Sequence, residues 1–333
     1  MNFQHNTCRT DAGFTLQDCL PHIGEDEVTR RVFKGLKCRQ KQISSMFFYD
    51  ANGSRLFEEI TRLPEYYPSR TEKRLLHQFA PLLHRQGKAH NIVEIGSGNG
   101  SKISVLLGAI PPKGWQRLRY TAVDVSHEAI QESADHLQGR FPGIKIHGIV
   151  ADFTRQLHLI PNGRRRFFCF LGSTLGNLSR QDAQQFLLDL SGIMSPGEAL
   201  LLGLDMMKPV PVLEAAYNDT RGITAAFNRN ILNVINGLVG TDFDPQAFDH
   251  LAFYNQVHQR VEMHLKATKT MRISSPAIAY NILIRQGETI HTENSHKYSD
   301  ACIRDLAATA GLSIQARLTD EKGWFSLLHL LKE

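Results

Sequence analysis

The 333 residues contain no apolar run of the ~18 positions that a membrane-crossing helix needs, so no membrane partner is expected. Cysteine is scarce. Cys8, Cys19, Cys38, Cys169 and Cys302 make an odd five with no C-x-x-C pair, which argues against a disulfide framework and suits free thiols in a reducing compartment. Histidine is plentiful at 15, yet no H-E-x-x-H or similar spacing occurs, and no metal is expected. The polar N-terminus, with Asp11 and no apolar segment, speaks against a signal peptide and for a cytoplasmic protein. The net charge of +5 has no dominant block. Arg164-Arg165-Arg166 is the densest basic run. It precedes an apolar strand pattern and reads as a solvated loop edge rather than a nucleic-acid patch. No nucleic acid is expected as partner, internal repeats and low-complexity segments are absent, and a monomer is anticipated.

What remains is ordinary for a globular enzyme of one large or two smaller domains: 42% hydrophobic and 21% charged. Its most informative stretch is Asn91-Ile92-Val93-Glu94-Ile95-Gly96-Ser97-Gly98-Asn99-Gly100, followed by apolar Ile103, Val105, Leu106, Leu107 and Ile110. This reads as strand, glycine turn and helix. Such a turn lets the backbone approach a ligand, and a helix start offers N–H groups to an anionic one. The spacing is not G-x-G-x-x-G, so the strict dinucleotide fingerprint fails. A plain strand-to-helix turn explains the stretch equally well.

Upstream, residues 1–45 predict a short strand or arm and a helix from Glu25 to Lys37. A helix near Arg55–Leu63 and another from Thr71 to Leu83 follow, separated by Pro64-Glu65-Tyr66-Tyr67-Pro68. The two tyrosines, stiffened by flanking prolines, suit either a core edge or a pocket wall. Downstream, strands are predicted at 119–123 ending in Asp124, at 145–150 before Ala151-Asp152-Phe153, at 166–171 before Gly172-Ser173-Thr174-Leu175-Gly176-Asn177, and at 198–204 ending in Asp205. Helices from Ser126 as N-cap to Leu137 and from Arg180 to Ile193 alternate with them. Alternation implies parallel βαβ units in a doubly wound α/β sheet, with ligands beyond the carboxyl ends of the strands.

The pattern stops at 206–290. There one long helix is predicted from Val212 to Leu238, then strand-like runs at 259–270 and 279–284. It resumes with a helix near 299–310 and a hairpin of strands, 313–318 and 324–331, which places one antiparallel strand in the parallel sheet. The expected domains are 1–61 as the N-terminal part of a substrate-binding domain, 62–205 as the cofactor domain, 206–290 as an inserted α+β substrate-binding domain, and 291–333 completing the cofactor domain.

A doubly wound sheet with a glycine turn after its first strand takes either a dinucleotide or S-adenosylmethionine, and the terminal hairpin favours the Rossmann-like class I methyltransferase form. Asp124, ending the second strand, can accept from both ribose hydroxyls. Asp152 can accept from an adenine amino group, Phe153 can pack on the ring, and Lys102 can meet a carboxylate. Either aspartate alone is more simply a cap or turn residue. Together with the glycine turn they point to a cofactor.

Several longer motifs carry a resemblance. They are Phe48-Tyr49-Asp50 with Gly53-Ser54 and Leu56-Phe57, Thr61-Arg62-Leu63-Pro64-Glu65-Tyr66-Tyr67-Pro68, and Glu94-Ile95-Gly96-Ser97-Gly98 with Lys102. Phe170-Leu171-Gly172-Ser173-Thr174-Leu175-Gly176-Asn177-Leu178, Gly222-Ile223-Thr224-Ala225-Ala226-Phe227-Asn228 and Thr292-Glu293-Asn294-Ser295 complete them. From about residue 45 to its end the chain resembles the L-histidine Nα-methyltransferases of ergothioneine biosynthesis. The resemblance implies S-adenosyl-L-methionine as donor, L-histidine as small-molecule acceptor, and three methylations giving hercynine. It also implies that the N-terminal segment and the insertion form an acceptor-binding domain over the strand ends.

Carried over by motif, Asn177 and Tyr217 hold the acceptor carboxylate, and Tyr49 and Tyr66 flank the amine, with Tyr49 and Asn177 serving catalysis. Thr224 and Met263 line the pocket, and Glu293 and Ser295 read the imidazole. Gly96, Ser97, Lys102, Asp124, Asp152 and Phe153 hold the cofactor. On its residues alone, Glu293 is more simply a surface strand residue paired with Lys297. Asn294 departs from the small apolar residue expected between Glu293 and Ser295, which is harmless if strand alternation turns it away but puts histidine specificity in doubt if the strand bulges. His258, His264 and His291 read as surface or core residues rather than ligands. The rival readings are methylation of another amino acid, a non-catalytic cofactor-binding module and, more remotely, a dinucleotide oxidoreductase.

Overall fold

The computed structural model describes residues 6–11, 13–20, 25–85, 91–163, 165–278 and 281–333. From the N-terminus come β1 (Asn6–Asp11), β2 (Phe14–Asp18), α1 (Glu25–Leu36), β3 (Lys41–Gln42), α2 (Ala51–Thr61) and α3 (Tyr67–Arg85). The alternating part runs β4 (Asn91–Ile95), α4 (Ile103–Gly108), α5 (Pro112–Trp115), β5 (Arg119–Asp124), α6 (His127–Arg140), β6 (Lys145–Val150), β7 (Arg166–Phe170), α7 (Arg180–Ile193) and β8 (Ala199–Asp205). Next are α8 (Val210–Ala215), α9 (Ile223–Val239), β9 (Phe248–Asn255), β10 (Arg260–Ala267), β11 (Met271–Ile273), β12 (Ile282–Ile284) and β13 (Thr289–His296). Helix α10 (Asp300–Thr309) and strands β14 (Leu312–Thr319) and β15 (Phe325–Lys332) complete the order.

The chain divides into two units. The first comprises Met1–Leu20, Pro68–Met207 and Lys297–Glu333, and the second Pro21–Tyr67 and Lys208–His296. These boundaries correct the expected ones at both ends. Residues 1–20 join the first unit because the β1–β2 hairpin pairs with the edge of its sheet, Phe14 opposite Ile146 and Leu16 opposite Gly148. Residues 291–296 join the second because β13 pairs with β10 from Arg260 opposite His296 to Lys266 opposite Thr289.

In the first unit, nine described strands form one sheet in the order β1-β2-β6-β5-β4-β7-β8-β15-β14. The order reverses at β4, with β5 and β6 on one side and β7 and β8 on the other. The glycine turn after β4 therefore stands at the topological switch point, where doubly wound sheets bind ligands. Strand β15 runs antiparallel to both β8 and β14, as the terminal hairpin predicted. Both faces of the sheet are buried. Ile92, Tyr120, Ile146 and Leu201 belong to one core cluster and Val93, Ile95, Phe168 and Leu200 to the other. This is why β4, β7 and β8 read as continuous apolar runs. Arg166 corrects the reading of the basic run as a solvated edge. It is buried, and its guanidinium makes a 2.8 Å ion pair with Glu198. Arg164 lies outside the described residues.

The second unit contains the sheet β3-β13-β10-β9 and the two-stranded β11–β12. Helix α9 buries Phe227, Asn228, Ile231, Leu232 and Ile235, positions three and four apart that form one face. The single helix expected at 212–238 is two, because the Asp219 carboxylate accepts from the N–H groups of Ile223 (2.9 Å) and Thr224 (2.7 Å) and starts α9 afresh. The strand start expected at Ala279 lies outside the described residues, and β9 was not anticipated.

Candidate active site

In the first unit, Gly96, Gly98 and Gly100 all have positive φ (67°, 50° and 71°), a region that costs other residues roughly 1–2 kcal/mol. Gly100 also has a packing reason: a Cβ there would stand 2.4 Å from Ser133 Oγ. The turn is closed by Asp124, whose two oxygens accept from the N–H groups of Gly98 (2.9 Å) and Ser126 (3.1 Å). Burial raises the Asp124 pKa, and these backbone donors act against it. Ser97 is buried, and its hydroxyl has no partner among the described residues. Helix α4 is only six residues long, so it adds little dipole, and the expected helix-start contribution gives way to the turn itself.

Asp152 makes an Asx turn, accepting from Thr154 N–H (3.0 Å) and Thr154 Oγ1 (2.6 Å). Phe153 is held edge-on by Phe170 (5.6 Å) and Phe186 (5.8 Å). Beneath the turn, Tyr120 Oη donates to Glu94 Oε2 at 2.6 Å, and burial pushes the Glu94 pKa up to about 8, so this carboxyl carries its proton at neutral pH. Lys102 is a partly exposed ammonium 2.9 Å from the buried Glu72 carboxylate. Asn177 ends a 3-10 turn over Thr174–Asn177, entered through Ser173 at φ 56°. Ser173 Oγ accepts from the Asp205 N–H at 2.9 Å.

In the second unit, aromatic rings form a connected set. Tyr49 meets Phe57 (6.0 Å) and Phe227 (6.2 Å), Phe57 meets Tyr66 (6.4 Å), and Tyr66 meets Tyr217 (6.2 Å). The tandem tyrosines divide their roles. Tyr66 joins this set, while Tyr67 is buried and its hydroxyl accepts from Lys208 at 2.6 Å. Asp50 caps α2 by accepting from Gly53 N–H (2.7 Å) and also from Asn230 Nδ2 on α9 (2.7 Å), which fixes the segment carrying Tyr49. Thr224 lies buried in the first turn of α9.

On β13, Glu293 stands opposite Met263 and Ser295 opposite Val261, so both project from the Met263 side of the sheet. A bulge does occur, but at Thr292: Met263 pairs with Glu293 while His264 pairs with His291. Alternation resumes before Asn294, which stands opposite Glu262 on the other face, where its Oδ1 lies 2.9 Å from His291 Nε2. The bulge is pinned by the Thr292 hydroxyl, whose Oγ1 lies 2.7 Å from Asn228 Oδ1 and 3.0 Å from Met263 O and shares its single proton between these two acceptors. Lys297, the alternative partner for Glu293, makes a buried 2.8 Å ion pair with Asp205.

The family described as "Histidine-specific methyltransferase, SAM-dependent" matches residues 28–332. A histidine N-alpha-methyltransferase of Mycobacterium tuberculosis is 40% identical over 310 residues, covering 92% of this chain and 96% of its own. The ergothioneine biosynthesis protein 1 of Schizosaccharomyces pombe is 27% identical over 80% of this chain, which corresponds to 35% of that longer protein. A solved magnesium protoporphyrin IX methyltransferase from Synechocystis PCC 6803 has a TM-score of 0.47 at 12% identity, covering 86% of this chain and 96% of its own. The chain belongs to the family of S-adenosylmethionine-dependent, histidine-specific methyltransferases. It is an enzyme, and its methyl donor is S-adenosylmethionine.

Around the expected site residues of this methyltransferase stand others that sequence reasoning did not single out. Phe57 and Phe227 link the tyrosines. Their helical spacing gave no signal beyond a core position, although both lie inside quoted motifs. Thr292 and Asn228 set the register of β13, and Glu72 holds Lys102. On the far face of the sheet, Glu262, His264 and His291 bring ligand-type atoms within 4.8 Å of one another, despite lacking any local metal spacing. The Arg260 guanidinium lies 2.8 Å from Glu262, whose Oε1 also accepts from Asn255 (3.0 Å), and His264 Nε2 is 3.0 Å from its Oε2. A fixed positive charge already on this carboxylate makes the cluster a poor place for a cation. Burial lowers the pKa of both His264 and His291. His258 is exposed.

Proposed function

We propose that this methyltransferase moves three methyl groups in succession from S-adenosylmethionine to the α-amino nitrogen of L-histidine, giving hercynine (Nα,Nα,Nα-trimethyl-L-histidine) and S-adenosylhomocysteine, a step of ergothioneine biosynthesis. The observation that carries this reading is the pairing of Glu293 and Ser295 on one face of β13. A carboxylate can accept from one imidazole N–H, and a hydroxyl can donate to or accept from the other nitrogen. Side chains lacking those groups would leave two polar atoms unpaired, which is how such a site discriminates.

The turn after β4 suits the donor by its chemistry. Asp124 already accepts from the Gly98 and Ser126 N–H groups, and its two carboxylate oxygens have further lone pairs that can accept from a ribose diol. In this reading Gly96 and Ser97 line the cofactor's amino-acid moiety, Lys102 meets its carboxylate, Asp152 accepts from the adenine amino group and Phe153 packs on the ring. When bound, the donor supplies an electrophilic methyl carbon on a sulfonium: as the N–C bond forms, the C–S bond breaks and its electron pair stays on sulfur.

The chain's own residues supply position. Asn177 and Tyr217 hold the acceptor carboxylate, Tyr49 and Tyr66 flank the amine, and Thr224 and Met263 wall the pocket. Alignment of this kind contributes up to ~7–11 kcal/mol in favourable reactions, so neither a metal nor a covalent nucleophile is called on. The first two product ammonium groups each lose a proton, to water or to a tyrosine-bound network, and regain a lone pair. The third product is quaternary and has no proton to lose. Tyrosine faces attract it by cation–π interaction. Mass spectrometry of a reaction time course tests the stoichiometry: mono- and dimethylhistidine should appear and be consumed, with trimethylhistidine as endpoint. A reaction that stops at one methyl group would contradict it.

A further inference from the structure

The Lys102 ammonium is not an independent charge. Glu72, on α3, is fully buried; its Oε1 accepts from the Gly172 N–H at 2.7 Å, and its Oε2 lies 2.9 Å from Lys102 Nζ. One carboxylate thus ties α3 to the turn after β7 and to the segment between β4 and α4. Two glycines make room for it. A Cβ on Gly203, in β8, would stand 2.1 Å from Glu72 Oε1, and one on Gly172 would stand 2.6 Å from Lys102 Nζ. Gly172 also has φ 81°, which disfavours any other residue. Neither Glu72 nor Gly203 belongs to any motif that carried the resemblance.

A lysine side chain has large rotamer freedom, and an ammonium fixed in advance gives up less of it when a ligand arrives. A buried acid without a cation would be costly, so the pair holds itself together with or without ligand. We propose that Glu72 is a positioning residue that pre-sets the Lys102 ammonium for the carboxylate of the donor's amino-acid moiety. This rests on the reading above that Lys102 meets that carboxylate.

The test compares two ligands by isothermal titration: S-adenosylhomocysteine, which carries the amino-acid moiety, and 5′-methylthioadenosine, which lacks it. Glu72→Gln keeps the acceptor for Gly172 and removes the charge. It should weaken S-adenosylhomocysteine binding about 10-fold while changing methylthioadenosine less than about twofold. Gly203→Ala keeps both charges but displaces the carboxylate, and should shift the ratio of affinities the same way; it decides the matter if Glu72→Gln does not fold. Equal losses for both ligands, or an unchanged ratio, would overturn the proposal. Lys102→Ala separates the two layers. If it leaves the ratio unchanged, the reading of Lys102 fails. If it lowers S-adenosylhomocysteine affinity selectively and neither Glu72→Gln nor Gly203→Ala does, only the role of Glu72 fails.

Discussion

Asp124 and Glu94 lie 30 residues apart in sequence at the ends of neighbouring strands, and burial raises the pKa of both. At Asp124 backbone N–H donors, Gly98 and Ser126 among them, act against that rise; Glu94 has a tyrosine hydroxyl. Removing the Asp124 side chain unties the glycine turn and takes away the proposed ribose acceptor. Asp124→Ala should therefore weaken S-adenosylhomocysteine binding by about 10–100-fold, the size of a lost charged hydrogen bond, while histidine-side variants leave it intact. Unchanged affinity by titration would remove Asp124 from the cofactor site. Glu94 makes a pH prediction. Its unfolded-state carboxyl ionises near 4.5 and its folded one near about 8. Between these values the folded state holds the extra proton, so this group's contribution to stability falls as pH rises and levels off above the folded value. Glu94→Gln should flatten that decline. Urea midpoints across the window should find it closest to wild type at the acid end and more stable than wild type near pH 8. Parallel pH profiles would show that Glu94 titrates normally. The strand-end aspartates were legible because strand and turn patterns are local. Glu72 was not, because its partners lie 30 and 100 residues away and nothing in α3 marks it.

At the scale of the element, the face on which β13 carries Glu293 and Ser295, the residues proposed to read the acceptor, is set by a single extra residue. A strand without the Thr292 bulge would carry Glu293 on the opposite face. The Thr292 hydroxyl, between Asn228 Oδ1 and Met263 O, holds the register, and Thr292→Val removes that donor at little change in volume. It should cost about 1–3 kcal/mol of stability by leaving the buried Asn228 oxygen short of a donor. It should also weaken histidine binding about 10-fold with S-adenosylhomocysteine affinity unchanged. Calorimetry and titration read both, and wild-type histidine affinity in a folded variant would sever the bulge from specificity. The departure at Asn294 raised this question from sequence, and only cross-strand pairing answered it. On the same sheet, buried His264 and half-buried His291 both have lowered pKa, so the unfolded state takes up protons first as pH falls below about 6.5 and stability declines there. His291→Asn should reduce that acid-side loss in thermal scans, and an unaltered loss would place it elsewhere. The break between α8 and α9 was missed because Asp219 caps with a side chain inside an otherwise helical pattern.

At the scale of the whole molecule, the alternating core from β4 to β8 could be read element by element, the short α5 apart, since short apolar runs closed by turn residues mark the strands and helical spacing marks the longer helices. The edges could not. Strands β1 and β2 sit in a polar, mixed segment and belong to the large sheet only because β2 pairs with β6, about 130 residues on, and β1 with β2. The assignment of β13 to the second unit likewise depends on its pairing with β10 across two intervening strands, whereas β9 forms a local hairpin with β10 that its sequence did not signal. Among the described residues no helix is long and apolar enough to cross a membrane. The proposed acceptor is histidine, read by Glu293 and Ser295. The most direct measurement is isothermal titration of the twenty amino acids, with mono- and dimethylhistidine, into protein saturated with S-adenosylhomocysteine, alongside Glu293→Ala. Histidine and its methylated forms should bind in preference to the rest, and the variant should lose about 10–100-fold of that affinity while keeping the cofactor product bound. Preference for another amino acid would rule out histidine as the acceptor, and a variant that binds histidine as the wild type does would rule out Glu293 as the residue that reads it.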